Sequence, residues 1–116
     1  MGKIKSVDKR VCEIKCYIKK NYDDSALTME NIAHSLGINP RYMLKIFKEE
    51  TGYLLKEYLL DIRITHAKEL LKMGLTVEAV SKKCGYTTSH SFIRAFKKAC
   101  GITPGEMRKV NKYEEQ

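Results

Sequence analysis

The sequence predicts an all-α fold of seven helices, arranged as two helix-turn-helix subdomains joined by a long connector helix. Three observations carry this prediction: apolar residues recur at helical spacing, glycines stand where the apolar stripes stop, and one helix–glycine–helix pattern occurs twice. No stretch alternates apolar and polar residues as a half-buried strand does. We assign residues 7–53 to the first subdomain, 54–74 to the connector and 75–112 to the second subdomain.

The first predicted element is an entry helix over about residues 7–22, where an apolar residue recurs at each turn. Its predicted buried stripe consists of Val7, Val11, Ile14 and Ile18. We expect this stripe to pack on the helices that follow.

Local signals delimit the first pair of helices. Thr28 can cap a short helix, Met29 to Leu36, and Gly37 can end it in the left-handed region. Asn39 can cap a second helix, Pro40 to about Thr51, because a proline at the first helical position lacks only an N–H that would be unpaired anyway.

A connector helix follows over about residues 55–73, and Gly74 closes it. The sequence just before it, Tyr53-Leu54-Leu55, offers no serine, threonine, aspartate or asparagine as a cap. The apolar face of the connector consists of Tyr58, Leu59, Ile62, Ala67, Leu70 and Leu71.

The pattern of the first pair returns later in the chain. The spacing of the matched residues is 48 positions at first and 49 positions further on, so the second copy carries one extra residue just after Gly85. The matches are Leu27-Thr28 with Leu75-Thr76, Gly37 with Gly85, and Phe47-Lys48 with Phe96-Lys97.

In the second copy, Thr76 can cap a helix from Val77 to about Lys83. Thr88 or Ser89 then caps a helix that runs to Cys100. A last short helix begins at Thr103-Pro104 and ends near Val110, and we expect residues 112–116 to fray.

Composition restricts the function classes. The net charge is +8 and the pI is about 9.3, a balance that favours a polyanionic partner such as DNA, RNA or an acidic membrane surface. No apolar run of ~18 residues and no signal peptide is present, so we expect a cytoplasmic protein that does not span a membrane. Its four cysteines lack metal-ligand spacing and are predicted to be reduced thiols of the core, with no metal and no cofactor.

The second helix of each copy has two different sides. One side is apolar and predicts docking, whereas the other side carries cations and is available to a partner. The docking sides consist of Met43, Ile46, Phe47 and Glu50 in the first copy and of Phe92, Ala95, Phe96 and Ala99 in the second. The outward sides consist of Arg41, Leu44, Lys45 and Lys48, and of His90, Ile93, Arg94 and Lys97.

These outward sides suit the DNA major groove, which admits one α-helix and displays base-specific donors and acceptors. Three cations, Arg41, Lys45 and Arg94, can reach guanine edges, while Ser89 and His90 can donate or accept. The apolar pair Leu44 and Ile93 can contact thymine methyl groups; the alternative is that both are simply exposed or contact another protein.

The connector also allows a geometric hypothesis. About 19 residues at ~1.5 Å rise span roughly 28 Å, and successive turns of one DNA groove lie ~34 Å apart. The two outward sides could then enter adjacent major-groove segments, so that one chain reads an asymmetric site of about 15–20 base pairs. The isolated chain is expected to be a monomer.

The segment CGYTTSHSFIRAFKKACGITPGEMRK, residues 84–109, resembles the signature of the AraC/XylS family of bacterial transcription regulators. The shared features are Gly-Tyr, a polar capping cluster, Phe-x-Arg-x-Phe-Lys-Lys, Gly, Ser/Thr-Pro and a closing Arg. The segments IAHSLGINPRYMLKIFKEETG and RITHAKELL also fit, so the resemblance covers roughly residues 10–110.

The resemblance implies double-stranded DNA as the partner, two recognition helices in the major groove, and activation of transcription through contact with RNA polymerase. It assigns base contacts to Arg41, Leu44, Lys45, Ser89, His90, Ile93 and Arg94. It assigns contacts with backbone phosphates to Thr28, Asn39, Lys48, Thr76, Thr88, Ser91 and Lys97. Leu44 departs from the family, which often has a polar residue at that position.

Two alternatives come from other functional classes. The chain could be the DNA-binding portion of a cysteine-dependent DNA-repair methyltransferase, since related helical pairs occur beside methyl-accepting cysteine domains; such a cysteine must be an exposed thiolate. It could also be a helical protein-interaction module. We expect no enzymatic activity, because no phosphate loop, H-E-x-x-H motif or nucleophile elbow is present. The tyrosines, Tyr42 among them, are expected to pack rather than to stack on bases.

Overall fold

The computed structural model describes residues 9–114, which form seven α-helices and no strand, as the sequence predicts. Val7, which belongs to the predicted entry stripe, lies outside these residues. No helix within them combines the length and the apolar character that crossing a bilayer requires. The helices are α1 (Lys9–Asn21), α2 (Met29–Leu36), α3 (Pro40–Thr51), α4 (Leu55–Lys72), α5 (Val77–Lys83), α6 (Ser89–Cys100) and α7 (Pro104–Glu114).

The described residues divide into two compact units. The first unit comprises residues 9–21 and 27–60, and the second comprises residues 22–26 and 61–114. The loop 22–26 therefore lies between α1 and α2 in the sequence but packs as part of the second unit. The helix α4 contributes residues to both units.

The first unit is built by mutual packing of α1, α2 and α3. The ring of Phe47 is fully buried and meets Tyr58 of α4 edge-on, with ring centroids 5.3 Å apart. Burial of each large apolar side chain contributes about 1.5–3 kcal/mol, so the predicted stripes supply most of the driving force. The buried apolar residues of this unit are Val11, Ile14, Ile18, Leu27, Ile32, Ala33, Met43, Ile46, Phe47, Leu55 and Leu59.

The second unit has its own core, in which α6 packs on α5 and on α7. A chain of aromatic rings runs through it: Tyr86 to Phe92 at 5.4 Å between centroids and Phe92 to Phe96 at 5.6 Å. The other buried side chains of this unit are Ile64, Ala67, Leu71, Val80, Ser81, Cys84 and Pro104.

The helix α4 begins at Leu55, although no side chain at position 54 can cap it. A side chain inside the first turn caps it instead: the Glu57 carboxylate accepts the backbone N–H of Leu54 at 3.1 Å, as the glutamate of a capping box does. Just upstream, Thr51 Oγ1 accepts the N–H of Tyr53 at 3.1 Å. The Tyr53-Leu54-Leu55 sequence, which has no capping residue of its own, is thus compatible with an ordered helix start.

The helix α7 is longer than predicted. It continues to Glu114 rather than ending near Val110, so the prediction of a frayed tail is wrong for residues 112–114. A capping box starts the helix: Thr103 N–H donates to Glu106 Oε1 at 2.8 Å and Glu106 N–H donates to Thr103 Oγ1 at 3.1 Å. No glycine or proline follows Gly105 to stop it.

The prediction that all four cysteines are core thiols is also wrong. Cys84 is fully buried, Cys100 is half-buried, and Cys12 and Cys16 are exposed. The reason is that the buried side of α1 is already occupied by its stripe of branched residues, which leaves the two thiols on the outer side. Burial raises the pKa of the Cys84 thiol to about 11.

Candidate nucleic-acid interface

The helix α3 presents the predicted outward side to solvent. Asn39 fixes its start, since the side chain accepts the N–H of Tyr42 at 3.1 Å and Pro40 takes the first helical position. Opposite the outward side, Met43, Ile46 and Phe47 are buried. The exposed residues are Arg41, Leu44, Lys45 and Lys48, and Leu44 keeps 40% of its surface accessible.

One assignment on α3 needs correction. Glu50 was predicted on the docking side, but it is exposed because three apolar residues already fill the contact with α1 and α2. At the end of the helix, Lys48 Nζ donates to the carbonyl of Gly52 at 3.3 Å. The outward side of α3 is therefore cationic around a central leucine.

The helix α6 repeats this arrangement in the second unit. Phe92 and Phe96 are fully buried, while His90, Arg94 and Lys97 are exposed. The two remaining base-contact candidates, Ser89 and Ile93, are half-buried. The docking side is narrower than predicted: Ala95 is half-buried and Ala99 is exposed.

The N-terminus of α6 is fixed by Thr88, which resolves the choice between Thr88 and Ser89. Its Oγ1 accepts the N–H of Ser91 at 3.1 Å. The Ser91 hydroxyl lies 2.9 Å from that same oxygen and donates to the Thr88 carbonyl at 3.0 Å. The Ser91 hydroxyl is thus bonded within the cap. To donate to a phosphate, it would have to give up its hydrogen bond to the Thr88 carbonyl.

The first helix of each pair is capped in the predicted way. Thr28 Oγ1 accepts the N–H of Asn31 at 3.0 Å, and Thr76 Oγ1 accepts the N–H of Ala79 at 3.1 Å. Both threonines are exposed. A threonine hydroxyl that accepts this bond can still donate its own O–H to another group. The adjacent helix N-terminus favours an anion, so the chemistry of each cap is compatible with a phosphate oxygen.

A further exposed group flanks the outward side of α3, and the sequence analysis missed it. Tyr42 is 42% exposed rather than packed in the core, and the guanidinium carbon of Arg10 lies 5.4 Å from the centroid of its ring. This pairing depends on how α1 packs against α3. In the sequence, Arg10 is one of several basic residues of α1, and nothing marks it as the partner of Tyr42.

The charge of the two second helices is positive along the outward side, although α3 also carries Glu49 and Glu50 near its end, whereas α6 has no acidic residue. Neither α3 nor α6 has an acidic residue in its first turn, and each has at least one lysine in its last turn. On α6, a shallow depression is lined by Ser91, Arg94, Ala95 and Lys98. A cationic surface beside an exposed helix attracts a polyanion and speeds its association.

The chain matches the protein family described as "Helix-turn-helix domain" over residues 32–110. It is 42% identical over 86 residues to an uncharacterized HTH-type transcriptional regulator, YtdP, of Bacillus subtilis, a match that covers 73% of this chain and 11% of that protein. It is 33% identical over 100 residues to the bifunctional transcriptional activator/DNA repair enzyme AdaA of B. subtilis, covering 85% of this chain and 47% of that one. The chain thus spans less than half the length of these two curated relatives.

A solved structure gives the corresponding result for the fold. The C-terminal domain of AraT, a response regulator from Geobacillus stearothermophilus, is 34% identical with a TM-score of 0.88. This likeness covers 90% of the present chain and 88% of that domain.

Proposed function

This chain belongs to the AraC/XylS-type family of helix-turn-helix transcription regulators, and on that premise we propose that it binds a specific double-stranded DNA site through α3 and α6. The site is proposed to extend over two major-groove segments and to lack two-fold symmetry. The isolated chain is proposed to bind it as a monomer in the bacterial cytoplasm, where the chromosome lies.

One observation carries this proposal. In each unit, the second helix of the pair buries an apolar stripe, which is aromatic in α6, and exposes a cationic side opposite to it. The buried stripe fixes the rotation of the helix, so that the same side chains always face the partner. A cationic helix of fixed rotation is what the major groove admits, because it can combine phosphate attraction with contacts to base edges.

Base reading is proposed for the outward residues nearest the helix N-termini. The cations Arg41, Lys45 and Arg94 suit guanine, which presents two acceptors in the major groove. The full set is Arg41, Leu44, Lys45, Ser89, His90, Ile93 and Arg94.

Phosphate contact is proposed for groups at the margins of the two helices and at the caps. These groups carry little sequence information but fix the register of the protein on the duplex. The set comprises Thr28, Asn39, Lys48, Thr76, Thr88, Ser91 and Lys97.

We propose that a protein with this domain regulates transcription, and that it activates transcription through contact with RNA polymerase. Support comes from the names of the relatives, which are mostly transcription regulators. No enzymatic role is proposed. Cys84 does not fit a repair acceptor, because such a group must be an exposed thiolate and Cys84 is buried with a raised pKa.

Selection of duplexes from a random pool tests the proposal. We expect enrichment of an asymmetric site whose affinity falls steeply with salt, since each phosphate contact releases counterions. Footprinting of the selected site should protect two neighbouring stretches, and light scattering should give one chain per duplex. Recovery of no preferred sequence, or binding that salt does not weaken, would contradict sequence-specific recognition and favour a protein-interaction module.

A further inference from the structure

We propose that Arg10 and Tyr42 together form an additional phosphate-binding site, which extends the DNA contact of the first unit from α3 onto α1. This inference rests on the proposed function. It adds a residue of the entry helix to an interface that the sequence analysis confined to the helix pairs and their caps.

The position of Tyr42 on α3 supports this site. Successive residues of an α-helix turn by about 100°, so Tyr42 lies at the edge of the side that carries Arg41 and Lys45. When that side enters a major groove, the edge faces one of the groove walls, which consist of phosphates rather than bases. Tyr42 is 42% exposed, and its hydroxyl can donate to a phosphate oxygen.

Arg10 supplies the charge at this edge. Its guanidinium carbon is 5.4 Å from the centroid of the Tyr42 ring, and the side chain is exposed. A planar guanidinium can pack near a ring and bind other acceptors at the same time, and its fork matches a phosphate. The ring also restricts the arginine rotamers, which lowers the entropy cost of holding the guanidinium at one place.

The internal repeat gives an independent argument. On the edge that carries Tyr42, α3 has the acidic Glu49, whereas the equivalent position of α6 is Lys98. Lys98 lines a depression with Ser91, the counterpart of Tyr42, and with Arg94. The edge of α6 therefore has a cation of its own. At the edge of α3, the cation beside Tyr42 comes from α1 and is Arg10.

The surroundings of Arg10 place it beside the turn between α2 and α3. It lines a small cavity together with Ile14, Leu36, Gly37 and Ile38, and with the carboxylate residue Glu13 one turn further along α1. The carboxylate of Glu13 lowers the net positive charge at this place. A guanidinium has five N–H groups in a planar fork, so it can bind a phosphate while it also contacts other groups of the protein.

The test uses the whole chain and the duplex selected from the random pool. We expect Arg10→Gln to lower affinity by about 3–10-fold for the selected duplex and for unrelated duplexes alike, and to reduce the slope of log K against log salt by about 0.9. The matched control is Lys20→Gln, which removes the same charge about 15 Å away at the other end of α1 and should leave the slope unchanged.

Variants of Tyr42 separate the ring from the hydroxyl. Tyr42→Phe keeps the ring, so Arg10→Gln should still reduce the slope in that background. In the Tyr42→Leu background, which has no ring to hold the guanidinium, the same change should have a smaller effect. Thermal unfolding of every variant reports whether folding is preserved, since both side chains are exposed and neither belongs to the core.

Three outcomes bear on the inference. An unchanged salt slope for Arg10→Gln overturns it, as does a loss confined to the selected sequence, which would indicate base reading instead. An equal loss for Lys20→Gln overturns it too, because the effect would then be one of net charge. If the unaltered chain selects no duplex, the proposed function fails at that earlier step.

Discussion

Arg63 donates from Nε to the backbone carbonyl of Tyr22 at 2.8 Å, across 41 positions of the sequence. Its Nη2 donates to the carbonyl of Asp24 at 3.0 Å, and its guanidinium carbon lies 5.4 Å from the centroid of the Tyr86 ring. One side chain of α4 therefore holds the loop 22–26 and contacts an aromatic residue that follows the glycine turn of the second unit.

Removal of this side chain should destabilise the second unit. Arg63→Ala deletes two charge-assisted hydrogen bonds to carbonyls, so we expect the free energy of unfolding to fall by about 2–4 kcal/mol. Urea denaturation measures the loss. Arg108→Ala is the matched control: its Nη2 reaches the Gly74 carbonyl at 3.4 Å in an exposed position and should matter by less than about 0.5 kcal/mol. Similar losses for the two variants would show that the loop does not depend on Arg63.

The two turn glycines should differ in their tolerance of alanine. At Gly85, φ is +90° and an added Cβ would lie 2.5 Å from the Tyr22 carbonyl oxygen and 2.9 Å from Arg63 Nε. At Gly37, the equivalent position of the first copy, φ is +66° and nothing lies within 4 Å. We expect Gly37→Ala to cost about 1 kcal/mol, since only the left-handed conformation opposes it.

Gly85→Ala should cost more than about 3 kcal/mol, because backbone strain and a clash with a backbone oxygen combine. Thermal or urea unfolding of both variants gives the comparison. Equal costs would mean that the loop 22–26 moves aside without loss.

Two cations on α6 should affect DNA binding differently. Arg94→Ala is expected to cost ~1–3 kcal/mol at one base position and to relax specificity there, because a base contact is lost. Lys97→Ala should weaken binding to all duplexes and lower the salt slope by about one, because a phosphate contact is lost. Titration of the selected duplex and of single-base variants separates the two. An equal loss on every sequence for Arg94→Ala would contradict its base-reading role.

Stability should fall at alkaline pH through Cys84. Burial raises the pKa of this thiol from 9.0 to about 11, so between these values the folded state keeps a proton that the unfolded state has lost. Stability is therefore fully present below about pH 9 and decreases as the pH rises toward 11, by about 2–3 kcal/mol in total. Cys84→Ala should flatten this part of the profile. Burial also raises the pKa values of Tyr22 and Tyr86. The part of the pH dependence that remains in the Cys84→Ala variant is therefore attributed to these tyrosines.

Alkylation gives a second readout of the same environment. Iodoacetamide should modify the exposed Cys12 and Cys16 of the folded chain readily, and Cys84 only after unfolding. Mass spectrometry of the labelled peptides assigns each thiol. Rapid labelling of Cys84 in the folded chain would contradict its burial.

Sequence reasoning succeeded where a local signal determines the structure. A threonine or asparagine three residues before an unpaired N–H forms a cap, so the starts of α2, α3 and α5 follow from residues 28, 39 and 76. Helical spacing likewise identified the buried aromatic stripe of α6. The internal repeat extended both arguments from one copy to the other.

It failed where the outcome depends on contacts that are distant in sequence. Nothing near Arg63 indicates that its guanidinium binds a loop 41 positions away. The exposure of Cys12 follows from competition, since α1 has more apolar residues than its buried side can take. The pairing of Arg10 with Tyr42 requires the angle at which α1 meets α3, which no pattern along the chain encodes.

The assignment of the loop 22–26 to the second unit has a practical consequence for dissection of the molecule. No single cut releases either half intact. A fragment that starts at residue 61 would retain Arg63 but would lack the two carbonyl oxygens that its guanidinium binds. A fragment that stops at residue 60 would contain those carbonyls in the loop 22–26, but it would lack the guanidinium that binds them. Limited proteolysis is accordingly expected to yield a nicked, non-covalently associated species rather than separable halves.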